Sequence, residues 1–316
     1  MIYLQLAGSL LLLLLGGETL VRGAVALATR LGVSPLLIGL TLVGFGTSTP
    51  ELITSIEAAV VGSPGIAVGN VVGSNIANIL LILGIAALIA PIAISRSAFF
   101  RDGSVAMLAA IACVGVCLSG SLQPMAGVFL LALLIGYIVY CFVAERVTAT
   151  VADASIDPSL ALPGSSGIRL PIALALFLSG LVLTMLAAHM LVGSAIAIGA
   201  AAGISETVLG VTVVAVGTSL PELVTSVLAA WRRQPDIAFG NIVGSNIYNV
   251  FGILGITAIV EPIPVPPELL DADIWVMLGA TALLLVFSLT GWRLSRFEGG
   301  LFLAAYAAYL AFIVFG

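Results

Sequence analysis

Two segments of the chain place an acidic residue, a proline and several hydroxyl groups inside runs of apolar residues. They are GTSTPELITS at residues 46–55 and GTSLPELVTS at residues 217–226. Their carboxyl groups belong to Glu51 and Glu222, and no arginine lies at an equivalent depth near either motif. Two ionised carboxylates in an apolar surround repel each other and cost several kcal/mol each unless they are neutralised. The compensating charge must therefore arrive from outside, as one divalent ion, several monovalent ions, or protons.

A second motif, G-N-x-V-G-S-N-I-x-N, also occurs twice, at residues 69–78 and 240–249, and adds hydroxyl and amide oxygens. Hard cations prefer such an all-oxygen set, and Ca2+ takes about 6–8 oxygens at about 2.3–2.6 Å. Because no soft ligand accompanies these residues, zinc and copper are poor candidates. Within this motif, Asn70 and Asn241 either contact an ion or brace a helix break. The polar residues of the two motifs, written as repeat partners, are Thr47 and Thr218, Ser48 and Ser219, Asn70 and Asn241, Ser74 and Ser245, Asn75 and Asn246, and Asn78 and Asn249.

The prolines of the first motif, Pro50 and Pro221, predict broken helices. Proline has no N–H, so the carbonyl group four residues earlier loses its helical partner. In hydrocarbon that carbonyl needs another donor or a cation, while the proline can restart a helix as its first residue. We expect a second break in each half at residues 73–74 and 244–245, where Gly-Ser precedes the amide side chains.

These motifs lie in a chain whose composition is that of a membrane protein. Of its residues 61% are hydrophobic and only 8% are charged, and the mean hydropathy is +1.28. The basic residues form no stripe, so we expect a lipid bilayer and no nucleic acid as a partner. A spanning helix needs about 20 apolar residues, and we expect the first one to be retained rather than cleaved. The ten predicted spans are 3–29, 33–61, 66–90, 103–120, 124–144, 170–202, 205–230, 236–260, 272–291 and 297–315.

The ten arginines predict the orientation of the spans, because positive charge accumulates in cytoplasmic connections. Arginines follow spans one, three, five, seven and nine, whereas the connection after span eight carries four acidic residues between 261 and 273. We therefore predict a multi-pass protein of the cell membrane with both termini on the extracytoplasmic side. Glu18 and Arg22, four residues apart in span one, predict a local ion pair.

The two halves of the chain are related by a repeat of 171 residues. Between residues 39–55 and 210–226, 11 of 17 positions are identical, and between 69–79 and 240–250, 8 of 11 are. Each half holds five spans, an odd number, so the halves enter the membrane in opposite directions. Such an inverted-topology repeat with discontinuous helices at its centre is the architecture of many secondary transporters. We predict an all-α membrane fold of ten transmembrane helices, with one five-helix repeat at 1–144, a cytoplasmic linker at 145–169 and a second five-helix repeat at 170–316.

The paired G-T-S-x-P-E and G-S-N-I-x-N blocks resemble the two repeats of the calcium/cation antiporter superfamily, which includes the sodium/calcium exchangers. The resemblance covers essentially the whole chain and is closest to the compact prokaryotic exchangers, because the segment 145–169 is too short for a large regulatory loop. It implies an ion site in spans two, three, seven and eight, with spans one and six sliding against this core. In the potassium-dependent branch an acid at the position of Asn249 accompanies K+ transport, so Asn249 argues against K+ dependence.

The resemblance also implies roles for individual residues. Glu51 and Glu222 would bridge the Ca2+ and Na+ sites, and Asn78 and Asn249 would complete the middle of the cluster. The implied backbone carbonyl ligands are Thr47, Thr218, Gly44 and Ala215, and the implied hydroxyl ligands of Na+ are Ser48, Ser74, Ser219 and Ser245.

The function that these residues favour is Na+/Ca2+ antiport by alternating access. The alternative is an H+-coupled Ca2+/cation antiporter on the same fold, because an apolar surround favours a protonated carboxyl group, although the repeated hydroxyls favour Na+. Inverted halves with a midplane site disfavour an ion channel, and His189, the only histidine, lies near no recognisable nucleophile motif, which disfavours an intramembrane hydrolase. His189 either senses protons or bonds to a neighbouring helix. We expect a monomer that is not an enzyme and needs no cofactor besides the transported ions.

Overall fold

The computed structural model describes residues 2–151, 168–201 and 215–315. These residues form helices, together with four two-residue strands and one short 3-10 helix at Pro267–Leu270. The helices are α1 (Ile2–Leu31), α2 (Pro35–Thr47), α3 (Thr49–Val60), α4 (Gly65–Ile89), α5 (Arg96–Leu118), α6 (Pro124–Val151), α7 (Leu170–Ala201), α8 (Ala215–Thr218), α9 (Leu220–Trp231), α10 (Pro235–Val260), α11 (Asp273–Leu289) and α12 (Arg296–Phe315). The strands are β1 (Ile92–Ala93), β2 (Ser121–Leu122), β3 (Ile263–Pro264) and β4 (Arg293–Leu294).

Seven of the described helices are long and apolar enough to cross a membrane, and the bent pair formed by α2 and α3 is an eighth candidate. Helices α9 and α11 are shorter apolar helices of 12 and 17 residues. Helix α6 continues to Val151, past the predicted end of its span at residue 144. Residues 152–167 of the predicted linker and residues 205–214 of the predicted seventh span lie outside the described residues. The chain is a multi-pass, all-α membrane protein.

The helix of the second predicted span is interrupted at Ser48, where α2 and α3 are bent by 43°. Pro50 lies in the first turn of α3. The corresponding interruption separates α8 from α9 at Ser219, with Pro221 in the first turn of α9. The breaks predicted at both proline motifs are therefore confirmed. Each one places a glutamate in the first turn of the restarted helix, where the helix dipole favours a negative charge.

The prediction of a second break at residues 73–74 and 244–245 was wrong. Helices α4 and α10 remain helical through both Gly-Ser pairs, because no proline there removes an N–H from the hydrogen-bond ladder. The irregularity lies further along instead, as wide π-helical turns at Ala77–Leu83 and Asn249–Leu254. A π turn shifts the side chains that follow it and often occurs at functional sites. Asn78 and Asn249 lie in these two turns.

Glycines hold the backbone of α2 directly against that of α10. A Cβ atom on Gly244 would lie 2.2 Å from the carbonyl oxygen of Leu40, and one on Gly240 would lie 2.8 Å from that of Leu36. Any larger residue would push the two helices apart. This contact brings the end of α2, which belongs to the first repeat, beside the second polar motif of the other repeat.

Helices α1 and α7 also meet through glycines. A Cβ atom on Gly23 would lie 2.4 Å from the backbone nitrogen of Phe177, and one on Gly180 would lie 2.3 Å from that of Leu20. Small residues of this kind allow close packing of membrane helices, for which the lipid supplies no hydrophobic drive. The two longest described helices thus form one closely packed pair.

The four strands lie in connections between helices, and their pairing joins these connections in two groups. Antiparallel pairing of β1 with β4 sets Ile92 opposite Leu294, and pairing of β2 with β3 sets Leu122 opposite Ile263. The first pair joins the connections after α4 and α11, where the guanidinium of Arg96 lies 4.8 Å from the centre of the Trp292 ring. The second pair joins the connections after α5 and α10. This grouping matches the separation of basic from acidic connections in the sequence.

We predict that Gly180→Ala destabilises the protein, because the added methyl group overlaps the backbone of Leu20 and forces α1 away from α7. Overpacking of this kind costs about 1–3 kcal/mol, measured as a lower midpoint of thermal unfolding in detergent. The matched control is Gly193→Ala on the same helix, where a Cβ atom meets no described atom within 4 Å. Equal midpoints for the two variants would contradict the close contact.

Candidate functional site

The two buried glutamates are each held by a serine from the opposite half of the chain. The hydroxyl of Ser48 donates to Oε1 of Glu222 at 2.8 Å, and that of Ser219 donates to Oε1 of Glu51 at 3.1 Å. The two carboxylates are 1% and 0% exposed. Each serine lies at the break between two helical segments, and each glutamate lies in the first turn of the segment that follows. The helix breaks therefore position both members of both hydrogen bonds.

No described basic side chain pairs with either glutamate. Between pairs of described residues, ion pairs join Arg22 and Arg232 to Glu18, and Arg101 to Asp102. The second carboxylate oxygens of Glu51 and Glu222, their Oε2 atoms, are buried and accept no hydrogen bond from a described residue. Such oxygens cost free energy unless a cation or a donor satisfies them.

Four asparagines form a symmetric amide network between α4 and α10. Nδ2 of Asn78 donates to Oδ1 of Asn246 at 2.9 Å, and Nδ2 of Asn249 donates to Oδ1 of Asn75 at 2.9 Å. Because the amide nitrogens of Asn78 and Asn249 are used as donors, their Oδ1 atoms remain as acceptors. Both of these oxygens are buried without a described hydrogen-bond partner. The network thus adds two amide oxygens to the two carboxylate oxygens, which is a donor set suited to a hard cation.

The amide nitrogens of Asn70 and Asn241 brace the restarted helices. Nδ2 of Asn70 donates to the carbonyl of Glu51 at 3.1 Å and to the hydroxyl of Ser55 at 2.9 Å. Nδ2 of Asn241 makes the corresponding bonds to the carbonyl of Glu222 at 3.3 Å and to the hydroxyl of Ser226 at 2.8 Å. Of the two roles that the sequence left open, the geometry favours bracing.

Several other predicted site residues bond to one another. The hydroxyl of Ser245 donates to the carbonyl oxygen of Gly44 at 3.1 Å, so two predicted ligands from opposite halves are in contact. The hydroxyl of Thr47 donates to the carbonyl of Val43 at 3.0 Å and lies 3.1 Å from Oδ1 of Asn241. These contacts place the residues at the centre of the bundle, and their role as ion ligands stays a prediction.

The remaining predicted residues lie on helices that carry the two motifs. Ser74 is buried on α4. Ala215 and Thr218 are the first and last residues of α8, directly before the break at Ser219. His189 is exposed on α7.

The sequence profile of the family described as "Sodium/calcium exchanger protein" matches residues 1–143 and 172–315. The chain belongs to the sodium/calcium exchanger family. Its relatives include the inner membrane protein YrbG of Escherichia coli, 36% identical over 92% of this chain and 88% of that protein. The sodium/calcium exchanger MaX1 of Methanosarcina acetivorans is 35% identical over 99% of this chain and 98% of its own length.

Solved structures show the same similarity. A structure of the sodium–calcium exchanger NCX_Mj, soaked with 2.5 mM Na+ and 1 mM Sr2+, has a TM-score of 0.83 to this chain at 32% identity. The match covers 97% of this exchanger and 96% of that one. The family consists of exchangers and not of enzymes, which places this chain among cation and Ca2+ exchangers.

The sequence analysis missed a second pair of acids that are repeat partners in this exchanger. The hydroxyl of Tyr137 donates to Oδ1 of Asp102 at 2.9 Å, and that of Tyr309 donates to Oδ1 of Asp273 at 2.9 Å. Asp102 and Asp273 are 171 residues apart, and this spacing was the signal available in the sequence. Asp102 also pairs with Arg101 at 2.7 Å, so its charge is compensated. These contacts tie α5 to α6 and α11 to α12.

The ion pair predicted between Glu18 and Arg22 is confirmed at 2.7 Å. The sequence did not indicate that Arg232 also reaches Glu18, at 2.6 Å. This second bond joins α1 to the residues that follow α9.

We predict that a double-mutant cycle of Ser48→Ala with Glu222→Ala yields a coupling free energy of about 1.5–3 kcal/mol, the contribution of a hydrogen bond to a charged group. The measurement is chemical or thermal unfolding of the purified exchanger without Na+ or Ca2+. Ser48→Ala with Glu57→Ala is the control, since Glu57 is exposed on α3, and additivity within about 0.5 kcal/mol is expected there. Equal coupling in both cycles would contradict the contact between the two halves.

Proposed function

We propose that this exchanger is a secondary active antiporter that couples Na+ to Ca2+ by alternating access, with both ions bound around Glu51 and Glu222. The observation that carries the proposal is the set of buried oxygens that accept no described hydrogen bond, the Oε2 atoms of the two glutamates and the Oδ1 atoms of Asn78 and Asn249. Bound cations would satisfy these oxygens, and relatives named sodium/calcium exchangers support Na+ and Ca2+ as the ions.

The charge of the two glutamates determines how much net charge each exchange cycle would move across the membrane. One Ca2+ neutralises both carboxylates. Three Na+, the stoichiometry that the family resemblance implies, leave a net charge of +1. Each cycle would then move one elementary charge, which is worth about 2.3 kcal/mol per 100 mV of membrane potential. Since both ions use the same carboxylates, full binding of one excludes full binding of the other, and this competition couples the two fluxes.

The serine hydroxyls support Na+ as the coupling ion. When Ser48 and Ser219 donate their hydrogens to the glutamates, their oxygen lone pairs stay available for a cation. Ser74 and Ser245 would supply further hydroxyls. The carbonyl oxygen of Gly44 could coordinate an ion once the hydroxyl of Ser245 turns away from it. Carbonyl groups of Thr47, Thr218 and Ala215 complete the proposed ligand set.

The proposal includes a fold of two inverted repeats, 1–144 and 170–316, joined by the cytoplasmic linker 145–169 and with both termini on the extracytoplasmic side. The strand pairs support it. Ile92 and Ile263 are repeat partners, and each pairs with a strand from the opposite half of the chain. A twofold axis in the membrane plane would exchange the two strand pairs and place them on opposite faces of the membrane.

Helices α1 and α7 would move together against the central helices during alternating access. Their glycine contacts give them the packing of one unit. Their contact with the core is partly apolar, because a Cβ atom on Gly17 would lie 2.6 Å from Cγ1 of Val224. Apolar contacts have no preferred direction, so the helices can slide past each other at little cost in free energy. The ion pair between Glu18 and Arg232 either breaks during this motion or moves with both helices.

We predict that Glu51→Gln and Glu222→Gln each abolish Na+-dependent uptake of radiolabelled Ca2+ into proteoliposomes. Removing one of two buried charges that share an ion costs about 3–5 kcal/mol, which is more than about 100-fold in affinity. Glu57→Gln is the matched control, since this exposed glutamate has Leu228 as its repeat partner and should exchange normally. Normal exchange by either of the first two variants would remove that glutamate from the mechanism.

The same proteoliposomes separate the coupling ions. We expect uptake under an outward Na+ gradient with or without K+, and no uptake under a pH gradient alone. Uptake under the pH gradient would identify an H+-coupled antiporter on the same fold, and a requirement for K+ would contradict the interpretation of Asn249.

A further inference from the structure

A cavity of about 400 Å3 opens on the arginine-rich side of the bundle, apart from the cation site. It lies where the C-terminal ends of α4 and α9 meet the start of α12. Ile89 and Pro91 line it from the end of α4, Trp231 and Arg233 from the end of α9, and Arg296 from the first position of α12. None of these residues belongs to the two polar motifs.

The walls of this cavity carry two guanidinium groups and no carboxylate. Neither Arg233 nor Arg296 forms an ion pair with a described residue. One nitrogen of Arg296 donates to the carbonyl of Ile89 at 3.2 Å, which leaves most of its donors available. The acid nearest in sequence, Glu298, directs its oxygens to Ser295 and Thr290 instead. The cavity therefore favours an anion.

Two exposed apolar side chains, Ile89 and Trp231, line the cavity with the guanidiniums, and Phe297 directly follows Arg296 in the sequence. Trp231 is 70% exposed, Phe297 is 76% exposed and Ile89 is 39% exposed. Tryptophan with flanking basic residues is typical of the level at which membrane proteins meet lipid headgroups. A ligand with a charged head and apolar tails would satisfy both parts of this surface, whereas a free anion would satisfy only one.

We propose that this cavity binds the phosphate headgroup of an anionic membrane lipid. Arginine binds phosphate through paired N–H donors, and two guanidiniums can hold one phosphate from two sides. Basic pockets between the ends of membrane helices are suited to such headgroups. The acyl chains would lie against Ile89 and Trp231. A lipid in this position joins the ends of three helices, next to Arg232 and its bond to Glu18.

The test is thermal unfolding of the delipidated exchanger in detergent, titrated separately with dioleoylphosphatidylglycerol, dioleoylphosphatidylcholine and inorganic phosphate. We expect the anionic lipid to raise the unfolding midpoint, the zwitterionic lipid to raise it much less, and phosphate to have no effect. In the double variant Arg233→Gln, Arg296→Gln the apparent affinity for the anionic lipid falls about 25-fold, about fivefold for each charge. The double variant with lysine at both positions keeps the charges but lacks the paired donors, and it restores only part of this affinity.

The matched control is Arg30→Gln with Arg169→Gln, which also removes two positive charges that we assign to the same side and leaves the cavity intact. We expect it to bind the anionic lipid as the unchanged protein does. Equal losses of affinity for the anionic lipid in both glutamine variants would show that only the general surface charge matters, and they would overturn the proposal. Equal stabilisation by the two lipids would exclude headgroup recognition, and stabilisation by phosphate alone would replace the lipid with a soluble anion.

Discussion

The negative charge of Glu51 and Glu222 is the constraint on which the rest of the structure depends. Both carboxylates are buried, no described basic side chain pairs with either one, and each accepts a hydrogen bond from a serine of the opposite half. A fixed basic partner would give a permanent structural bond. Without one, the proposed exchange would make the free energy of the site depend on ions from solution.

The helix breaks and the glycine contacts together bring the two glutamates and their serine donors into one site. Each break delivers a serine and, three residues later, a glutamate to the centre of the bundle, while Asn70 and Asn241 hold the restarted helices in place. Glycines on α10 let α2 approach until residues of opposite repeats touch, as Ser245 and Gly44 do. Two unconnected halves could not form this site, because each supplies one carboxylate and the donor that orients the other.

The sequence predicted the proline breaks and the residues that gather around them, because proline changes helix geometry in a local and regular way. It was wrong about residues 73–74, since glycine and serine weaken a helix without removing a hydrogen-bond donor. The cross-repeat bonds among Asn75, Asn78, Asn246 and Asn249 could not be predicted, because they depend on how α4 and α10 face each other and not on spacing within either helix. The bond of Tyr137 to Asp102 depends on tertiary contact in the same way.

The central claim is that Ca2+ and Na+ use the same pair of carboxylates, and equilibrium binding of radiolabelled Ca2+ to the purified exchanger tests it most directly. The account predicts one Ca2+ per chain, displaced competitively by Na+ with a Hill coefficient above one, because several Na+ replace a single divalent ion. If saturating Na+ left Ca2+ binding unchanged, the two ions would occupy separate sites, and the shared carboxylates could not couple their transport.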